Sequence, residues 1–152
     1  FKSGQVKCLI LDQAIPTTNS MRALEYLESS KLIIIDRDPR DIYVDLIRNN
    51  VLMGADVAGV ERARKYVSWH RGLRAGKPAP SKDILHLNFE DLIINPSVIL
   101  EKLKIFIDLE GGWGEGHIYD FRQSAGNVGL WKKFPFNDEI KFIEENLMEC
   151  GQ

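Results

Sequence analysis

Lys31 to Leu46, KLIIIDRDPRDIYVDL, is the stretch whose reading decides the fold. Leu32 to Ile35 is unbroken aliphatic sequence, the composition of a parallel strand covered on both faces. Directly after it, Asp38 and Pro39 supply a helix N-cap and a first-turn proline, and Asp41 places a carboxylate where a helix start favours one. A helix is predicted from Pro39 to about Asn50. Arg37 then stands at the C-terminal end of a strand beside a helix N-terminus, where its guanidinium, the free backbone N–H groups and the helix dipole all favour an anion such as phosphate. The same spacing allows a second arrangement, in which Arg37 and Arg40 pair with Asp36, Asp38 and Asp41 around the helix cap.

Working outward, Val6 to Asp12 (VKCLILD) is a second strand-like run. Asn19 to Ser30 carries Met21, Leu24 and Leu27 at helical spacing, so these pieces together predict a right-handed βαβ unit. Towards the C-terminus, Val57, Val60, Ala63 and Val67 mark a helix over Asp56 to Gly72, and Gly72 to Ser81 is predicted as a loop. Asp83 to Phe89 reads as another strand. Asn95 and Pro96 then cap a helix with Ile99, Leu103, Phe106 and Ile107 on its core face. Gly111 to Asn127 is glycine-rich and irregular, and a last helix over Asp138 to Glu149 holds Ile140, Ile143 and Leu147 in register. Alternating strands and helices predict an α/β fold with a mainly parallel sheet flanked by helices, whose ligands sit beyond the carboxyl ends of the strands.

At 152 residues, 44% apolar and 28% charged, the chain fits one domain, residues 1–152. Twenty basic residues against 22 acidic ones leave a net charge of -2, so no global field draws it to nucleic acid or an anionic membrane. Anions must be bound locally. Two cysteines, Cys8 and Cys150, without CxxC spacing, argue against a disulfide scaffold and a zinc site. Apolar runs such as Leu32 to Ile35 fall far short of the ~20 residues of a membrane span. With no signal peptide in view, a cytoplasmic location is expected.

The strand-RDPRD-helix segment resembles the 3′-phosphate-binding segment of sulfotransferases that use 3′-phosphoadenosine 5′-phosphosulfate (PAPS). Two further segments resemble that family in the right order. Ile84 to Pro96, ILHLNFEDLIINP, is similar to its strand ending in aromatic-Glu-Asp, and Gly126 to Lys132, GNVGLWK, to the element that covers the cofactor. The resemblance spans about residues 6 to 148. It implies a P-loop-NTPase-like fold, PAPS or its product adenosine 3′,5′-bisphosphate (PAP) as ligand, and Arg37, Asp45, Phe89, Gly126 and Trp131 as the cofactor-binding residues. Phe89 would border the adenine. On burial tendencies alone, Phe89 and Trp131 read more readily as core or cap residues than as ligand stackers.

Three departures accompany the resemblance. Position 45 is Asp where the family has a serine on the 3′-phosphate, and a carboxylate repels a dianion, so this subsite is expected to be remodelled or weakened. Ser124 and Ala125 stand where the family has a basic pair, leaving Arg122 as the nearest cation. The family's N-terminal loop for the 5′-phosphosulfate has no counterpart. The chain, which starts at Phe1, is therefore expected to be the C-terminal portion of a longer domain and inactive alone, with an open sheet edge beside Val6 to Asp12 that an upstream segment or a partner chain would fill. Asp12, at the family's base position, is the expected catalytic base towards a carbohydrate or small-molecule hydroxyl acceptor, or else a capping aspartate. The competing class is a degenerate nucleotide-binding or structural module without transfer activity.

Overall fold

In the computed structural model, which describes residues 10–11, 17–51, 57–108 and 121–148, strands β1 (Leu32–Asp36) and β2 (Ile84–Asn88) pair in parallel, Leu32 opposite Ile84 and Asp36 opposite Asn88. Among the described residues these two make the whole sheet. The helices are α1 (Arg22–Tyr26), α2 (Pro39–Arg48), α3 (Val60–Arg74), α4 (Phe89–Ile94), α5 (Pro96–Ile107), α6 (Phe121–Ala125) and α7 (Asn137–Leu147), with 3-10 turns at Thr17–Asn19 and Leu130–Lys133. The α/β class is as expected. Among the described residues no helix is long and apolar enough to cross a membrane.

The start of α2 is built as its sequence dictates. Asp38 caps it, its carboxylate accepting the Arg40 N–H at 2.9 Å, and Pro39 needs no partner for the N–H it lacks. The helix ends at Arg48, ahead of Asn50, which sits in the left-handed region at φ 53°. Three other elements depart from expectation. The helix predicted over Asn19 to Ser30 is a 3-10 turn followed by the five residues of α1. The helix α3 begins after Gly59 (φ 67°) and runs through Gly72 to Arg74, because Arg71 and Arg74 favour its C-terminal dipole and are held there, Arg71 by the Asn146 carbonyl (2.7 Å) and Arg74 by Asp36 (2.6 Å). Phe89 opens α4 instead of closing β2, and Asn95 precedes α5 with no side-chain cap bond.

The core lies on one side, where α2, α3, α7 and the Leu130–Lys133 turn bury Tyr43, Val44, Ala63, Tyr66, Val67, Leu130, Ile140 and Ile143. Inside it, the Tyr43 hydroxyl donates to Glu139, which also receives the Arg62 guanidinium at 2.9 Å. Burial, and then the Glu139 acceptor, push the Tyr43 hydroxyl pKa well above its ordinary value.

The sheet side is barer. Ile33 and Ile35 of β1 are 38% and 53% exposed, against the expectation of a strand covered on both faces. One edge of β1 pairs with β2; the other has no partner strand among the described residues. Of the predicted strand Val6 to Asp12, only Ile10 and Leu11 are described, and both are exposed and outside any strand.

Candidate functional site

The C-terminal ends of β1 and β2 lie side by side, since Asp36 pairs with Asn88, and the chain leaves both strands directly into helices. Arg37 follows β1 and Phe89 follows β2. Their side chains meet, the guanidinium carbon 5.2 Å from the Phe89 ring centroid, inside the range of about 6 Å for a cation–π contact. The remaining donors of Arg37 reach two further segments: Nη1 to the Asp45 carboxylate at 2.9 Å and Nη2 to the Asn127 carbonyl at 3.0 Å. Its Nε is buried without a hydrogen-bond partner. Three residues predicted for the site, Arg37, Asp45 and Phe89, are thus brought together, and Asn127 sets the turn after Gly126 beside them.

The cap of α2 carries a second layer. Arg40 is nearly buried, holds Asp38 through Nε (3.0 Å) and Nη2 (2.7 Å), reaches Glu144 at 2.9 Å, and lies 3.9 Å from the Trp131 ring centroid. The Asp38 hydrogen bond raises the Arg40 pKa above its ordinary value. Trp131, predicted to cover the ligand, lies with its ring against Arg40 at the edge of the core. Asp41, buried to 1% exposure, accepts backbone N–H groups from Gly129 (2.7 Å) and Trp131 (3.0 Å). One carboxylate therefore pins the GNVGLWK segment to α2, and Gly129 permits the turn with φ 74°. Gly126 is exposed, its N–H on the Gln123 carbonyl at 3.2 Å.

Of the pairs allowed for Arg37 and Arg40 around the helix cap, Arg40 with Asp38 is formed. Arg40 pairs with Asp38 and Glu144, and Arg37 with Asp45. Asp36 pairs with Arg74 and Lys77, from the end of α3 and the loop beyond it. Two contributors were missed. Glu90 accepts the Asp38 N–H at 2.8 Å and so ties the β2 exit to the α2 cap, a role its place after Phe89 could have signalled. Asn127 contributes only its backbone carbonyl, which leaves no mark in a side-chain pattern. His70 lies where burial and then Arg74 lower its pKa, with Asp36 opposing. Asp12 lies outside the described residues, as does the side chain of Arg122. No family model, curated protein or solved structure matches the chain.

Proposed function

We propose that the chain is the C-terminal portion of a PAPS-dependent sulfotransferase, and that the paired ends of β1 and β2 bind the adenosine end of the donor. The observation that carries this reading is the Arg37 guanidinium lying on Phe89 at the carboxyl end of a parallel strand pair, the place where open α/β sheets hold nucleotides. Phe89 offers a ring beside an adenine, and Arg37 offers charge to a phosphate. In the transfer, the acceptor oxygen forms its bond to sulfur as the bond from sulfur to the 5′-phosphate oxygen breaks. Asp12 takes the acceptor's proton, and an upstream phosphate loop carries the charge left on the phosphate. Arg37→Ala should weaken PAP binding by about 1.5–3 kcal/mol, the range for a hydrogen bond to a charged group. Equal affinity in both proteins by calorimetry would overturn the reading.

A second reading is favoured by one contact. Asp45 already neutralises Arg37 at 2.9 Å, which suits a nucleotide-binding module that has lost transfer chemistry. Loss of transfer with retained nucleotide binding, in a protein that includes the upstream segment, would select it.

A further inference from the structure

We infer that Lys132 is the second cation of the proposed 3′-phosphate subsite, in place of the basic pair whose positions Ser124 and Ala125 occupy, and that it makes the site prefer PAP to a nucleotide without that phosphate. The inference rests on the proposal that the β1–β2 edge binds the adenosine end of the donor, and names the residue that selects the donor there. Charge sets the need. Asp45 lies on Arg37 Nη1 at 2.9 Å, so the pair brings little net field to a dianion, although Arg37 Nε, buried without a partner, is a donor still open to an anionic acceptor. Arg40 is engaged by Asp38 and Glu144, and Arg74 and Lys77 by Asp36. Lys132 differs: it is exposed, and no carboxylate among the described residues pairs with it.

The place of Lys132 is set by the strap that runs from Asn127 to it. Asn127 gives its carbonyl to Arg37 at 3.0 Å, and Gly129 and Trp131 give their N–H groups to Asp41 at 2.7 and 3.0 Å, so the strap is fixed against α2. Lys132 donates its own N–H to the Gly129 carbonyl at 3.2 Å, and in a 3-10 turn residues three apart rise on the same side. Its stem folds back accordingly: Cδ, Cε and Nζ lie 3.5, 3.6 and 3.9 Å from where a Cβ on Gly129 would stand. The amino group is thus carried back along the strap, to a residue two places from the carbonyl that Arg37 holds. It is held there loosely, 5.8 Å from the Trp131 ring centroid, whereas Arg40 takes that ring at 3.9 Å. A compact ammonium on a flexible four-carbon stem can then close on a phosphate from one side while the planar Arg37 guanidinium meets it from the other. Lys133, one residue on, rises instead on the side of Leu130, whose side chain enters the core.

Adenosine 5′-monophosphate (AMP) and PAP differ only at the 3′ position, so calorimetric titration of both into the wild type, Lys132→Gln, Lys132→Arg and Lys133→Gln reads this role directly. All three changes are at exposed positions. Lys132→Gln should weaken PAP binding about tenfold, the loss of one charge-assisted hydrogen bond, and leave AMP binding within about twofold. Lys132→Arg should keep the preference for PAP, and Lys133→Gln should leave both affinities within about twofold. Unchanged PAP affinity in Lys132→Gln, an equal loss for AMP, or an equal loss in Lys133→Gln would overturn the inference while leaving a nucleotide site at this edge. A wild type that binds neither nucleotide would instead overturn the nucleotide reading itself, and the role of Lys132 with it.

Discussion

The two sides of this molecule are differently built, and the one richer in aliphatic residues is the barer. On the helical side, α2, α3 and α7 enclose Tyr43 and Ile143 at 0% exposure, with Glu139 and Arg62 paired among them. On the sheet side, Ile33 and Ile35 of β1 stand open, as do Ile94, Val98 and Ile105 of α4 and α5. Rigidity should therefore reside in the helices, and the junction of β1 and α2, where the nucleotide is proposed to bind, is anchored from that side through Asp38, Arg40 and Asp41. Four substitutions or titrations can break or sharpen this contrast.

The largest expected effect is at Glu139. Glu139→Ala strips the acceptor from the buried Tyr43 hydroxyl and the partner from Arg62, so unfolding stability should fall by about 3–5 kcal/mol in a urea titration. A loss below about 1 kcal/mol would mean that water reaches Arg62 and that the helical side is not the stable one. Next is Asp41→Ala, which leaves two backbone N–H groups without their acceptor. A loss of about 1–3 kcal/mol is expected, with amide signals of Gly129 and Trp131 shifting most.

A smaller, pH-dependent effect follows from Tyr43, Tyr66 and His70. Both tyrosine hydroxyls are raised, mainly by burial, so the protonated form belongs to the fold. That stability is complete below the unfolded value of about 10 and is lost as pH rises through the folded values. His70 is lowered, so the fold favours its neutral form. Its contribution is complete above about 6.5 and declines on acidification below that. Urea midpoints should hold between these limits, and His70→Gln should flatten only the acid limb. The smallest effect belongs to the sheet side: Ile33→Thr should change stability by about 0.5 kcal/mol or less. A cost of 2 kcal/mol or more, about that of a buried aliphatic side chain, would show this face to be covered in solution.

Much of this contrast is legible in the residues and some is not. The strand Leu32–Asp36 and the capped start of α2 could be read because aliphatic run, aspartate, proline and first-turn carboxylate all act locally. The end of α3 could not, because Gly72 looks like a breaker while the contacts that carry the helix past it come from Asn146 and Asp36, far along the chain. The same holds for the site. Arg37 is marked by its position after a strand, and Asp45 by the resemblance alone, but their direct pairing is a matter of side-chain reach. The motif of Trp131 gives no sign that the buried Asp41 draws its backbone to α2 or that its ring lies against Arg40. An alternation of exposure along β1 is likewise absent from four consecutive aliphatic residues.

The central claim is that the carboxyl end of the β1–β2 pair is an adenosine nucleotide site, and amide chemical-shift mapping with AMP and PAP tests it most directly. The account predicts saturable shifts clustered at Arg37, Asp45, Phe89 and Asn127 with PAP, lost in Arg37→Ala. Shifts confined to the α3–α7 face, or no saturable shift with either nucleotide, would contradict it.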